Sequence, residues 1–472
     1  MVRANYLDLG LLVIWLALFR ACHRYCYADP SSYFFDEARA YARPHSALRE
    51  SEAERFIGQA EASLDADFPP KHVTHAAAAA AAAANNDEDG DDDENDTAMD
   101  DPRICIGIPT IRRDRENFLS TAVGSLADSL TEEQRRGITL IVLLVDADPA
   151  ENPFYGTRWL ETIPDAVLTY GAGSTTTSTM TTRTATKTKT KTKTRRSPYR
   201  RIPTAYAPDA PRNIRARADN AALVSACRER GADYFLLVED DVVASRDWHR
   251  KLASAIRELE KASPRGDWLF IRLFHTEIYL GWNTEEYPTY VVYIVLVWSS
   301  VVLAVMLCRQ IVAPLMAGSS SNGGGAATKK HFHHHESSTA TTVTPRASLP
   351  RALSVRLATW LLAFTALYFL AGRQATQPLR PGLTEMPRYG CCGQGLLFPA
   401  RHLPTVEAEL RRPDGALEPV DSCISRMAAE TGLAQWALVP SVLQHVGVRG
   451  SSGKDAAFKR TWSFGFERAG DL

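Results

Sequence analysis

Apolar positions fall into two kinds of run. Long ones stand at 9–19 (LGLLVIWLALF), 290–308 and 352–372. Short runs of strand length, 104–110 (ICIGIPT), 138–145 (ITLIVLLV), 234–238 (YFLLV) and 268–273, alternate with segments at 117–130, 213–231 and 248–260 whose apolar residues recur at helical spacing. A strand that is apolar at successive positions suits a sheet covered on both faces, and strand, helix, strand in that order is the crossover pattern of parallel pairing. The short runs therefore predict an α/β fold with a mostly parallel sheet.

The long runs predict membrane helices. Segment 290–308 is uncharged and 352–372 carries only Arg356; a bilayer span needs about 20 apolar residues. The linker between them holds Lys329, Lys330, Arg346 and Arg351 against one acid, Glu336, which marks it as cytosolic. Run 9–19 is shorter and admits two readings, a tilted signal anchor or the apolar region of a signal peptide cleaved near Ala28. The anchor is preferred because Arg20 follows directly. Both readings place the chain beyond residue 28 outside the cytosol. The expected plan is an N-terminal transmembrane anchor at 1–28 and a low-complexity stem at 29–102, with an all-alanine tract at 76–84 and an acidic tract at 87–96. A first domain segment comes next at 103–288, then a transmembrane helical hairpin at 289–372 and a second domain segment at 373–472. Both segments share one compartment, so they can build one domain that the hairpin interrupts. The Thr/Lys/Ser/Arg-rich stretch 174–197 reads as a disordered surface insertion.

Charge removes one class of partner. With 54 basic and 55 acidic residues there is no net field for nucleic acid, so no nucleic-acid partner is expected. Eight cysteines without paired Cys-x-x-Cys units exclude a zinc framework and predict few disulfides. Of the adjacent Cys391 and Cys392, one is expected to bridge elsewhere, with Cys423 or Cys105 as candidates.

Candidate chemistry starts where YFLLV runs into Glu239, Asp240 and Asp241. Ligands of open α/β sheets bind beyond the carboxyl ends of strands, and adjacent carboxylates there suit a hard divalent ion that also holds phosphates. A solvated acidic turn has the same composition. Downstream, YGCCGQGLLFPARHL offers Gly390, Gly393 and Gly395 for close backbone approach to a sugar, against the plainer reading of a turn. Trp282, Trp436 and Trp462 are stacking candidates that serve core packing equally well. The His-rich run at 331–335 lies in the cytosolic linker.

The order ICIGIPT, VEDDV, a Gly-rich segment, PVDSCISRMA and a late PSVLQHVGVRGSS resembles the GT-A glycosyltransferases. With the hairpin inserted in the domain, it is similar to the Golgi family that adds N-acetylgalactosamine to glycosylphosphatidylinositol (GPI) anchors. The resemblance covers roughly residues 103–170 and 200–472. It implies a membrane protein with a luminal GT-A-like domain, a UDP-sugar donor, Mn²⁺ or another divalent metal, and the glycan of GPI-anchored proteins as acceptor. Glu239, Asp240 and Asp241 would stand for the Asp-x-Asp motif and hold the nucleotide sugar, with Asp240, Asp241 and His445 on the metal; His445 could equally donate to the diphosphate or serve as a structural histidine. Gly393 and Gly395 would line the cofactor side. Asp421 would be the catalytic base, although the family's x-Glu-Asp reads Pro419-Val420-Asp421 here, with Glu418 as the alternative. The expected reaction is a single displacement with inversion at the anomeric carbon. Transfer to N-glycans of glycoproteins, a luminal metal-dependent phosphohydrolase and a non-catalytic membrane adaptor are the competing functions. The hydrolase requires further His and Asp ligands for a second metal.

Overall fold

The computed structural model describes residues 2–63, 102–114, 116–171, 199–207, 209–263, 266–317, 351–387, 389, 391–412, 418–447 and 457–469. The tracts 76–84 and 87–96, the 174–197 insertion, the His-rich run 331–335 and Gly390 lie outside them.

Two compact units divide the chain, one of residues 1–40 and 280–378, the other of 41–279 and 379–472. The first contains the helices Val2–Tyr25, Tyr287–Ala317 and Arg351–Ala371. Trp15 Nε1 donates to Ala363 O at 3.0 Å, and Trp360 Nε1 to Asp8 Oδ1 at 3.1 Å. Leu11, Val305 and Phe364 are buried together between the helices, while Val13, Leu296 and Leu362 face outward and exposed. The stretch Thr284–Leu307 is long and apolar enough to cross a membrane; the apolar helix Val355–Ala371 is shorter.

Eleven strands build the second unit among the described residues: β1 Ile104–Thr110, β2 Ile138–Leu144, β3 Ala166–Tyr170, β4 Tyr199–Ile202, β5 Tyr234–Val238, β6 Val242–Ala244, β7 Trp268–Arg272, β8 Gly382–Glu385, β9 Gly395–Pro399, β10 Ala434–Val439 and β11 Leu443–His445. Nine form one sheet in the order β4-β3-β2-β1-β5-β9-β7-β10-β8, and β6 pairs with β11 separately. β9 runs antiparallel between β5 and β7, and β8 is antiparallel to β10; the other neighbours are parallel. β9 and β10 come from the chain after residue 379 yet complete a sheet begun before residue 279. The two sequence segments thus interleave in a single sheet.

Alternation along the strands explains the layers. Ile104, Ile106 and Ile108 of β1 join a cluster with the helices Leu119–Ala127 and Trp248–Ala262. Cys105, Ile141 and Leu143 point the other way, to Arg212–Arg228, Leu403–Leu410 and Val420–Thr431. Both faces are covered by helices, as the uninterrupted apolar runs require.

Two expectations are corrected. The stretch assigned to the stem contains the helix Pro44–Ala62, whose Ala53, Ile57 and Ala60 are buried. Its fully buried Arg49 pairs with Asp128 Oδ1 at 2.7 Å and donates to Ala244 O at 2.8 Å. The sequence pattern conceals this helix because its apolar stripe is thin and a buried arginine reads as a polar position. The cysteines also pair differently: Cys105 bridges Cys227, joining β1 to the helix laid over it, Cys391 bridges Cys392, and Cys423 is free and buried. The aromatic candidates pack. Trp462 is fully buried, Trp436 lies against the core, and Trp282 stacks among Tyr290, Tyr368 and Phe369.

Candidate active site

Parallel strands bring their carboxyl ends to one edge, and an antiparallel neighbour begins there. Val238, the last residue of β5, is therefore opposite Gly395, the first of β9. The segment before β9 and the segment after β5 meet at that edge, around a cleft of about 1090 Å³. Thr110, Arg113, Glu239, Asp240, Asp241, Gly393 and Asp421 all line it.

Asp240 accepts from Thr110 Oγ1 at 2.6 Å through Oδ2, and its Oδ1 is paired with Arg113 Nη2. Asp241 Oδ2 accepts from Arg113 Nη1 at 2.9 Å and lies 3.3 Å from His445 Nε2. Burial works to raise the Asp241 pKa, but His445 and Arg113 outweigh it and hold the group low, a carboxylate throughout the neutral range. Loss of water and then Asp241's charge push Glu239 up. Asp240 is likewise raised, chiefly by burial. For His445, burial opposes charge, but Asp241 prevails and raises its pKa. Thr461 Oγ1 lies 3.1 Å from the other imidazole nitrogen and so completes the orientation of the ring.

Arg113 is set by a short connection after β1. Its backbone N–H donates to Asn117 Oδ1 at 3.0 Å, and the preceding Arg112 N–H donates to Asp146 Oδ1 at 3.1 Å. The guanidinium also lies 5.5 Å from the Phe118 ring centre.

Across the cleft, Asp421 stands in the first turn of the helix Val420–Thr431, where carboxylates are favoured by the free N–H groups. Its Oδ2 accepts from Cys392 N–H at 3.0 Å and its Oδ1 from Ser422 N–H at 2.9 Å. Glu418, the alternative base, is ion-paired with Arg426 at 3.1 Å. Gly393 lies between the acidic groups: a Cβ there would meet Glu239 Oε1 at 3.3 Å and Asp421 Cβ at 3.8 Å. Gly395 serves differently, as a packing residue outside the cleft lining, where a Cβ would collide with Leu443 Cδ1. His445 is also behind the wall, touching Asp241 rather than the open cleft.

The Gly-rich segment is held by Arg272, the last residue of β7 and fully buried. Its guanidinium donates to Tyr389 O at 2.7 Å and Cys392 O at 3.0 Å, and also to Cys391 O. Burial brings its pKa down to about 10, still charged near neutrality. Cys392 has φ of 86°, in the left-handed region that non-glycine residues rarely adopt.

The residue types fit a divalent cation in part. Asp241 Oδ1 is buried without a hydrogen-bond partner, an oxygen available to a hard ion. Yet among the described residues no three His, Cys, Asp or Glu side chains converge as a ready-made metal cluster. Asp240, Asp241 and His445 are held by Thr110, Arg113 and one another instead.

The family model for GPI-N-acetylgalactosamine transferase PGAP4 matches residues 104–444, from the first strand of the sheet to the histidine region and through the helical segment between its halves. The chain belongs to that family. As a PGAP4-family member it is a glycosyltransferase. No curated protein matches the chain.

Sequence reasoning missed Arg113, Thr110 and Arg272. The IRRDRE segment directly after a strand was the available signal for the first. Nothing in linear spacing marks Arg272 as the clamp of a segment more than a hundred residues away. Asp219, also in the cleft lining, was missed too; it accepts from Tyr170 O–H, and burial raises its pKa to about 6.

Proposed function

We propose that the protein transfers N-acetylgalactosamine from a UDP-sugar to the glycan of GPI anchors in the Golgi lumen. The observation that carries this reading is that the acidic end of β5 and Asp421, from chain segments on either side of the helical unit, line one cleft in a chain of this family.

Asp421 accepts the proton of the acceptor hydroxyl as that oxygen attacks the anomeric carbon. The bond from that carbon to the diphosphate oxygen breaks, and the configuration inverts. The Cys392 N–H and the Ser422 N–H hold the carboxylate in place without neutralising it. Asp240 and Asp241 would hold the divalent ion, which when bound supplies positive charge against the leaving diphosphate. His445 keeps Asp241 oriented and ionised. Gly393 leaves room for the sugar between Glu239 and Asp421.

The helices Tyr287–Ala317 and Arg351–Ala371 are read as a transmembrane hairpin and Val2–Tyr25 as an anchor, which puts both segments of the catalytic unit in the lumen. The reading is tested by incubating the purified full-length protein with a panel of uridine nucleotide sugars and Mn²⁺. UDP-N-acetylgalactosamine should turn over and Asp241→Ala should abolish turnover in a folded protein; normal turnover in that variant contradicts the assignment.

A further inference from the structure

Arg113 bonds to both members of the acidic pair that the proposed metal would use, and it reaches them from a segment outside the acidic strand end. One guanidinium edge faces Asp241 Oδ2 and the adjacent nitrogen faces Asp240 Oδ1. A planar fork bridging two carboxylates is a compact cationic group in the position where a divalent ion would neutralise the same charges. We propose that Arg113 is a displaceable counter-ion: it keeps Asp240 and Asp241 paired before donor binds, and a divalent cation has to displace it to reach them. The inference rests on the metal-assisted reading of the site.

Three observations favour displacement over permanent pairing. The connection that carries Arg113 lines the cleft and is anchored through its backbone, by Asp146 and Asn117, so the side chain can leave without moving the loop. Asp241 Oδ1 is buried and unpartnered while Arg113 occupies Oδ2, so the present pairing leaves part of the carboxylate unsatisfied. Arg113 Nε is likewise buried without a partner. Both groups gain if the cation is exchanged for an ion on Asp241 and the guanidinium turns toward an anion such as the incoming diphosphate.

The test is Mn²⁺ binding by the full-length protein, read from the electron paramagnetic resonance of free Mn²⁺ with and without UDP. Arg113→Gln should bind Mn²⁺ without nucleotide about tenfold more tightly than wild type, a change of about 1.4 kcal/mol, while Arg113→Lys should stay close to wild type. Mn²⁺ should also raise the unfolding temperature of Arg113→Gln more than that of wild type, since the variant leaves buried carboxylates without a cation. Equal Mn²⁺ affinity in wild type and Arg113→Gln overturns the counter-ion role and leaves the metal site standing. A gain that survives Asp241→Asn also overturns it, by placing the ion elsewhere. Failure of both proteins to bind Mn²⁺ even with UDP removes the metal reading and this inference together.

Discussion

The backbone N–H of Cys392 donates to Asp421 Oδ2 at 3.0 Å, fixing the carboxylate from a residue that is itself in left-handed backbone geometry and tied to its neighbour by a disulfide. Asp421 is held by main-chain donors rather than by a cation, which keeps it available as a proton acceptor. Asp421→Asn preserves shape but accepts no proton. It should lower kcat by about 10² to 10⁴ with donor KM within a few fold of wild type. Loss of UDP binding in this variant would assign Asp421 to the nucleotide instead.

Arg272 should matter through the segment it holds. Arg272→Lys keeps the charge but cannot fork across three carbonyls, so unpaired buried acceptors should cost about 3 kcal/mol of stability. Thermal unfolding reads the loss, and kcat should fall with it as the Cys392 N–H loses its fixed position. An unchanged melting temperature would mean that the carbonyls find other partners.

Gly395 separates packing from binding. A methyl there collides with the fully buried Leu443, so Gly395→Ala should destabilise by about 1–3 kcal/mol, leave donor KM unchanged, and recover in part when combined with Leu443→Ala. A raised KM at unchanged stability would return Gly395 to the binding surface.

His275 predicts a pH dependence of stability. Burial, aided by Arg272, brings its pKa down to about 4, below the usual histidine value. The unfolded chain therefore takes up the proton first. The contribution is fully present above pH 6.5 and is lost as pH falls toward 4, on the order of 3 kcal/mol. Chemical unfolding between pH 7 and 4 should show a shallower decline for His275→Gln than for wild type, and parallel curves would contradict the assignment.

Much of this was legible in sequence because it is local. The apolar runs of β1, β2, β5 and β7 announce strands buried on both faces, and Glu239 to Asp241 lie where a strand end must put them. The rest depends on long-range geometry. The pairing of Cys105 with Cys227 follows from a helix crossing a strand, not from cysteine spacing. Gly395 and Gly393 look alike in a Gly-rich segment, and only the strand beginning at Gly395 turns one inward to the core. Arg49 and Arg113 are polar letters whose partners lie about 80 and 130 residues away, so neither periodicity nor motif order points to them.

The most direct measurement is transfer itself. The full-length protein, UDP-N-acetylgalactosamine, Mn²⁺ and a GPI glycolipid are combined, and the product is read by mass spectrometry and by NMR of the new anomeric centre. One N-acetylhexosamine should be added with inverted configuration by wild type, and none by Asp241→Ala or Asp421→Asn. A glycan left unmodified by wild type, a retained anomeric configuration, or undiminished transfer by Asp421→Asn would contradict the proposed reaction.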